Sequence, residues 1–163
     1  MITDPLSHAI SQASPAAVSL YASAVRSLTL YCGDPIATLD EAIADSPGFA
    51  QAHLLKGFIF ALATEPGAAM LAREIAGAVR TMSLNDREAT QSAILDRMLA
   101  GNWDEAAGAM DHHNLRHPLD LVALQVGHLM DFYRGSARSL RDRVARALAH
   151  WSPDMPGYHA LLG

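Results

Sequence analysis

The sequence predicts an all-α fold: an α-solenoid of about four helical hairpins, with eight main helices and the start of a short C-terminal one. Composition points to the class. Thirty Ala and 21 Leu stand against 19 Val, Ile and Thr together, a balance that favours helices over sheets. Spacing points to the architecture. Gly33, Gly67, Gly101 and Gly135 stand 34 residues apart, the period of a helix–turn–helix repeat of the tetratricopeptide type.

Helix punctuation supplies the elements in order. Ser14-Pro15 and Asp34-Pro35 each set a capping side chain before a proline suited to the first helical turn, opening helices near 15–31 and 35–46. Helices near 48–63 and 66–82 follow. Asn85 and Asn102 are similar caps, with Asp86, Glu88, Asp104 and Glu105 at the positive end of the helix dipole, for helices near 86–99 and 103–116. Helices near 119–134 and 136–150 complete the set. Apolar residues fall at helical spacing, as in Ile36, Leu39 and Ile43, or Leu140, Val144, Leu148 and Trp151. The hairpins are then 15–46, 48–82, 86–116 and 119–150, in one domain over 1–163, with an incomplete fifth from about 156. No pair of strands is evident.

The repeat is clearest from Gly101 through Trp103, Ala106 and Met110 to Pro118, and again from Gly135 through Leu140 and Val144 to Pro153. Gly67, Ala72 and Ala76 fit loosely, as do Leu39, Ala42 and Pro47, where the second helix is about three residues short. Trp103 falls at the aromatic position and is expected to be buried between two helices.

Composition also excludes function classes. With 50% hydrophobic and 18% charged residues, the 163-residue chain is not a disordered one. A net charge of −5 argues against a generic nucleic-acid binder. Cys32 is the only cysteine, which excludes an intramolecular disulfide and a cysteine zinc site. The start, Met1-Ile2-Thr3-Asp4-Pro5, lacks the basic residues of a secretory signal. The longest apolar run, Gly57 to Thr64, is too short to span a membrane. A cytoplasmic placement is expected.

Several strings go beyond the generic repeat: Gly33-Asp34-Pro35-Ile36-Ala37, Leu39-Asp40-Glu41-Ala42, His117-Pro118-Leu119-Asp120 with His128, Arg141-Asp142, and Trp151-Ser152-Pro153-Asp154-Met155-Pro156-Gly157-Tyr158. In this order they resemble the N-terminal part of the tetratricopeptide repeat protein 38 family, over roughly residues 20 to 163. The resemblance implies a helical repeat protein without an established enzymatic activity, so it carries over no catalytic residue. Members of that family run on for several more repeats, whereas this sequence stops at His159-Ala160-Leu161-Leu162-Gly163. A fragment or a short relative is the expectation.

The catalytic motifs are missing: GxxxxGK[ST], GxSxG and GxGxxG are all absent. No catalytic residue and no cofactor are expected. Cys32 has no base beside it and reads as an inert small residue. Arg134, Arg138, Arg141, Arg143 and Arg146 read as a solvated helix face, interrupted by Asp142.

Function in such solenoids lies on the groove lined by the first helix of each hairpin. The repeat register places Gln51, Leu54, Phe58, Leu62, Glu88, Gln91, Leu95, Met98, Gln125, Leu129, Phe132 and Tyr133 there. Apolar side chains outnumber charges among them, which points to a protein contact, unless the register is one residue off and they are core. The leading expectation is therefore a non-catalytic scaffold that binds a protein or peptide partner, or itself as a homodimer. The self-association surface would be the C-terminal flank of Leu140, Val144 and Leu148 with Met155, Pro156, Tyr158, Leu161 and Leu162, or the apolar groove. The alternative is a small-ligand or metal-binding helical protein using His113 and His117, four apart on one helical face, with His128. His117 at a helix C-terminus and a buried neutral His128 are the plainer readings of those residues.

Overall fold

A computed structural model describes residues 2–162. It is an array of helical hairpins: α1 (Pro15–Thr29) with α2 (Pro35–Asp45), α3 (Ala50–Leu62) with α4 (Pro66–Val79), α5 (Asp86–Leu99) with α6 (Trp103–Arg116), and α7 (Leu121–Tyr133) with α8 (Ala137–Leu148). A short α9 (Tyr158–Leu162) follows. The eight expected helices are all present, and none among the described residues is long and apolar enough to cross a membrane.

Caps mark the starts. The Ser14 and Asp34 side chains accept from the Ala17 and Ala37 N–H groups, with Pro15 and Pro35 just inside. Asn85 and Glu88 form a reciprocal capping box on α5. Asn102 occupies the expected cap position but makes no side-chain capping bond.

Turns show why the glycine period looked regular. Gly33, Gly101 and Gly135 have φ of 69°, 84° and 68°, left-handed backbone that only glycine adopts without steric cost. Gly67 breaks the set, because it lies inside α4. In that hairpin Thr64 takes the left-handed position, with φ of 57°, three residues before the place the period assigns. Two short strands, β1 (Ile2–Thr3) and β2 (Ala9–Ile10), pair antiparallel. Two residues each are too few to show a period, which is why no strand pair was expected there.

The groove does not stay open. Helix α3 packs on both α5 and α7, and its approach to α5 is so close that a Cβ on Gly57 would lie 2.8 Å from Leu95 Cδ2. The N-terminal arm lies across the start of α5, where Asn85 donates to the Ala9 carbonyl and the Ser11 N–H donates to Glu88. Gln51, Leu54, Phe58, Leu62, Glu88, Gln91, Leu95 and Met98 are consequently interior residues rather than an exposed groove. Gln125 is buried and Leu129 half-buried. Phe132 and Tyr133 alone of the set are exposed.

The C-terminal flank is covered too. The segment after α8 folds back, so Val144 and Leu148 pack with Trp151, Met155, Tyr158 and Leu161 against Leu121 and Leu124. Trp151 donates its indole N–H to the Pro118 carbonyl at 2.9 Å. Two residues of the flank expected to drive a homodimer, Val144 and Leu148, are thus half-buried against the chain's own C-terminal segment. Trp103 is half-buried, edge-on to Tyr133 with ring centroids 6.2 Å apart, rather than enclosed within its own hairpin.

Alanine should act with opposite sign at two glycines of one period. Gly101→Ala forces an alanine into left-handed backbone and should lower stability by about 1–2 kcal/mol. Gly67→Ala, with open space around the new methyl, should raise it by about 0.5 kcal/mol. Urea unfolding of the two variants checks both.

Candidate functional site

Asp120 ends the string His117-Pro118-Leu119-Asp120 and caps α7. Its Oδ1 accepts from the Ala123 N–H at 3.1 Å, an ordinary cap. Oδ2 does more. It accepts from Arg87 Nη1 at 2.9 Å, Gln91 Nε2 at 2.7 Å and His113 Nε2 at 3.0 Å. Arg87 and Gln91 sit four apart on α5 and so share a face, while His113 comes from the last turn of α6. Gln51 of α3 extends the chain by donating to Gln91 Oε1 at 2.7 Å. Four hairpin helices thereby meet at one carboxylate that is 2% exposed.

The arm adds a second carboxylate. Asp4 Oδ1 accepts from the N–H groups of Leu6 and His8, both at 2.9 Å, which folds the arm into a tight turn. Its Oδ2 contacts His8 Nδ1 at 3.1 Å and lies 3.9 Å from Arg87 Nη2, too far for a hydrogen bond. The His117 ring stands between His113, at 4.8 Å, and His8, at 6.5 Å.

Electrostatics follow from the burial. Desolvation works to raise the Asp120 carboxyl, but the His113 bond and the Arg87 charge outweigh it and hold it well below the usual carboxylate range. Burial pushes the Tyr21 phenol far above its ordinary value, with the Arg87 charge opposing the rise and the Asp120 and Asp4 charges adding to it. His117 is pushed down, first by desolvation and then by His113.

Beside this cluster is a cavity of about 390 Å³ between α1, the start of α7, the arm and the C-terminal segment. Its walls are mainly apolar, from Leu6, Val25, Leu30, Leu121, Val122 and Ala160, and Asp4, Tyr21 and Asp120 reach it. Gly157 has φ of 89°, and a Cβ there would lie 2.4 Å from Leu121 Cδ2. Only glycine lets the C-terminal segment approach α7 this closely. A smaller apolar cavity of about 170 Å³ lies between α1, α3 and α7. Phe58, Leu62, Gln125 and Leu129, four residues of the expected groove, line it.

The histidines divide. His113 is central, but as a donor to Asp120, and His117 stacks beside it. His128 is not with them: it lies eight residues beyond Asp120, about 12 Å along α7. Its Nδ1 finds no partner among the described residues. Those residues contain no group of three or more His, Cys, Asp or Glu placed to hold a metal ion, so the ligand set of His113, His117 and His128 does not assemble. Arg143 corrects the reading of a solvated arginine face. It is 2% exposed, donating to Asp131 at 2.8 Å and Asn114 at 2.7 Å.

Sequence reasoning selected Gln51, Gln91 and His113 but missed Asp4, Tyr21, Arg87 and Asp120 as partners. The usable signal was polar residues at core-facing helical positions, since such groups are buried only when paired.

Removing the hub charge should be costly. Asp120→Asn removes the carboxylate that Arg87 bonds directly, leaving it only the Asp4 charge at 3.9 Å, and should destabilise by about 3 kcal/mol. The folded carboxyl is depressed, so its stabilisation is complete above the ordinary carboxylate range near pH ~4 and is lost as pH falls through and below it. Unfolding free energy measured from pH 7 downward should therefore fall less steeply in the variant than in the parent.

No protein-family model matches the chain, and no solved structure matches it.

Proposed function

We propose that this protein is a non-catalytic binding protein of helical-repeat-like build, and that its ligand is a small, largely apolar molecule. The observation that carries the reading is the cavity of about 390 Å³ whose apolar walls close on Asp4, Tyr21 and Asp120. Its size and lining are those of a ligand pocket: mostly hydrophobic, with a few convergent polar groups. The interior position of the expected groove residues weighs against a peptide laid along an open concave face. A cytoplasmic setting accords with the exposed free thiol of Cys32.

Binding of the neutral fluorescent probe N-phenyl-1-naphthylamine tests this. Saturable one-to-one binding is expected, and Ala22→Trp, which fills the cavity from α1, should weaken it by about tenfold or more. Leu71→Trp on exposed α4 should leave it unchanged, with helicity of both variants checked by circular dichroism. Equal binding by the Ala22 variant would defeat the proposal.

A second reading, self-association, rests on Phe132 and Tyr133, exposed on α7 at 65% and 51%. Exposed aromatic residues of this kind anchor protein contacts. Sedimentation at micromolar concentration should then show a dimer that Phe132→Ser dissociates. A monomer in both forms removes this reading.

A further inference from the structure

We infer that the ligand of the cavity is a monocationic amphiphile, an alkyl or arylalkyl amine, with its ammonium at Asp4 and its apolar body between α1 and α7. This rests on the cavity reading above and deepens it. The first argument is charge. Two carboxylates, Asp4 and Asp120, reach the cavity, and one arginine, Arg87, lies behind them without lining it. Arg87 bonds Asp120 through Nη1 at 2.9 Å, while its Nη2 stays 3.9 Å from Asp4 and, like its Nε, has no hydrogen-bond partner among the described residues. The neighbouring acid Glu88 is also fully buried and is bonded only to the N–H groups of Ser11 and Asn85, so it adds negative charge and no cation.

The second argument is the surface that a head group would meet. Asp4 is 10% exposed at its side chain, and its Oδ2 takes only His8 within hydrogen-bond distance, leaving lone-pair capacity on that oxygen. Tyr21 lines the same end. Its hydroxyl oxygen can accept from an ammonium, and its ring offers a π face. Beside it, the fully buried Gln51 Oε1 has no donor among the described residues. Carboxylates outnumber arginines where the cavity ends, Asp4 and Asp120 against Arg87. Between mainly apolar walls such an excess discriminates by charge. Of the basic side chains in the lining, Arg26 is exposed, five residues from Tyr21 and about 7 Å along α1, and His159 comes from the C-terminal segment.

A matched probe set separates head group from body: phenylbutylamine, phenylbutanol and phenylbutyrate, titrated by calorimetry at neutral pH. The amine should bind about tenfold or more tighter than the alcohol, and the carboxylate weakest. Asp4→Asn keeps an acceptor for the turn of the arm. It should bring amine affinity down to that of the alcohol while alcohol affinity stays constant. Tyr21→Phe should reduce the amine preference several-fold and serves if the Asp4 variant folds poorly. An amine no tighter than the alcohol overturns the proposal while leaving the apolar cavity reading intact. Equal loss of all three probes in Asp4→Asn also overturns it, because the residue then acts on the fold and not on the head group. Binding of none of the three overturns both.

Discussion

One carboxylate sets the terms for the rest of the molecule. Asp120 begins α7, and the position at which a helix starts decides where its apolar faces point. That start is fixed by bonds to α5 and α6 and, through Gln91 and Gln51, to α3. Burying an ionised group is tolerated only when it is fully paired, and Asp120 accepts four bonds. The hairpins therefore cannot slide past one another without stranding a charge in the interior. Apolar contact supplies most of the cohesion, as in any domain of this size, but it does not select one register over its neighbours. The Asp120 hub does.

Arg143 plays a comparable part at the far end. Its guanidinium lies flat on α7 at Gly127, where a Cβ would sit 2.8 Å from three of its atoms. Its bonds reach Asp131 on the same helix and Asn114 on α6. A long cationic side chain thus fills the place of an aliphatic one between α6, α7 and α8. Glycine at 127 and arginine at 143 depend on each other, since either alone leaves a void or a clash.

Helix number, order and most boundaries were legible because they depend on local signals: proline and capping residues, glycine in left-handed turns, apolar spacing. The displaced turn at Thr64 was misread for the same reason, since Gly67 satisfied the period while the backbone used a threonine. What the sequence hid is long-range. The repeat register correctly put Gln51, Phe58, Leu95 and Met98 on inner helices, but whether an inner face meets water depends on how far the array curls. Here α7 reaches α3 and the arm crosses α5, and no local pattern encodes either contact. The buried cluster was half visible: Gln51 and Gln91 were placed on the inner face and His113 was singled out for its spacing to His117, while Asp4 joins because the N-terminal arm turns inward and Tyr21 because α1 packs beside it.

That inward turn has a thermodynamic consequence. Asp4 to Leu6 and Pro156 to Ala160 are walls of the same cavity, though some 150 residues separate them along the chain. A molecule that touches both ties their opening into one event, because neither can leave without releasing it. Its binding energy then appears as stability shared by both segments. Amide protons in the arm and in the C-terminal segment, exchanging independently in the free protein, would slow together as the cavity fills.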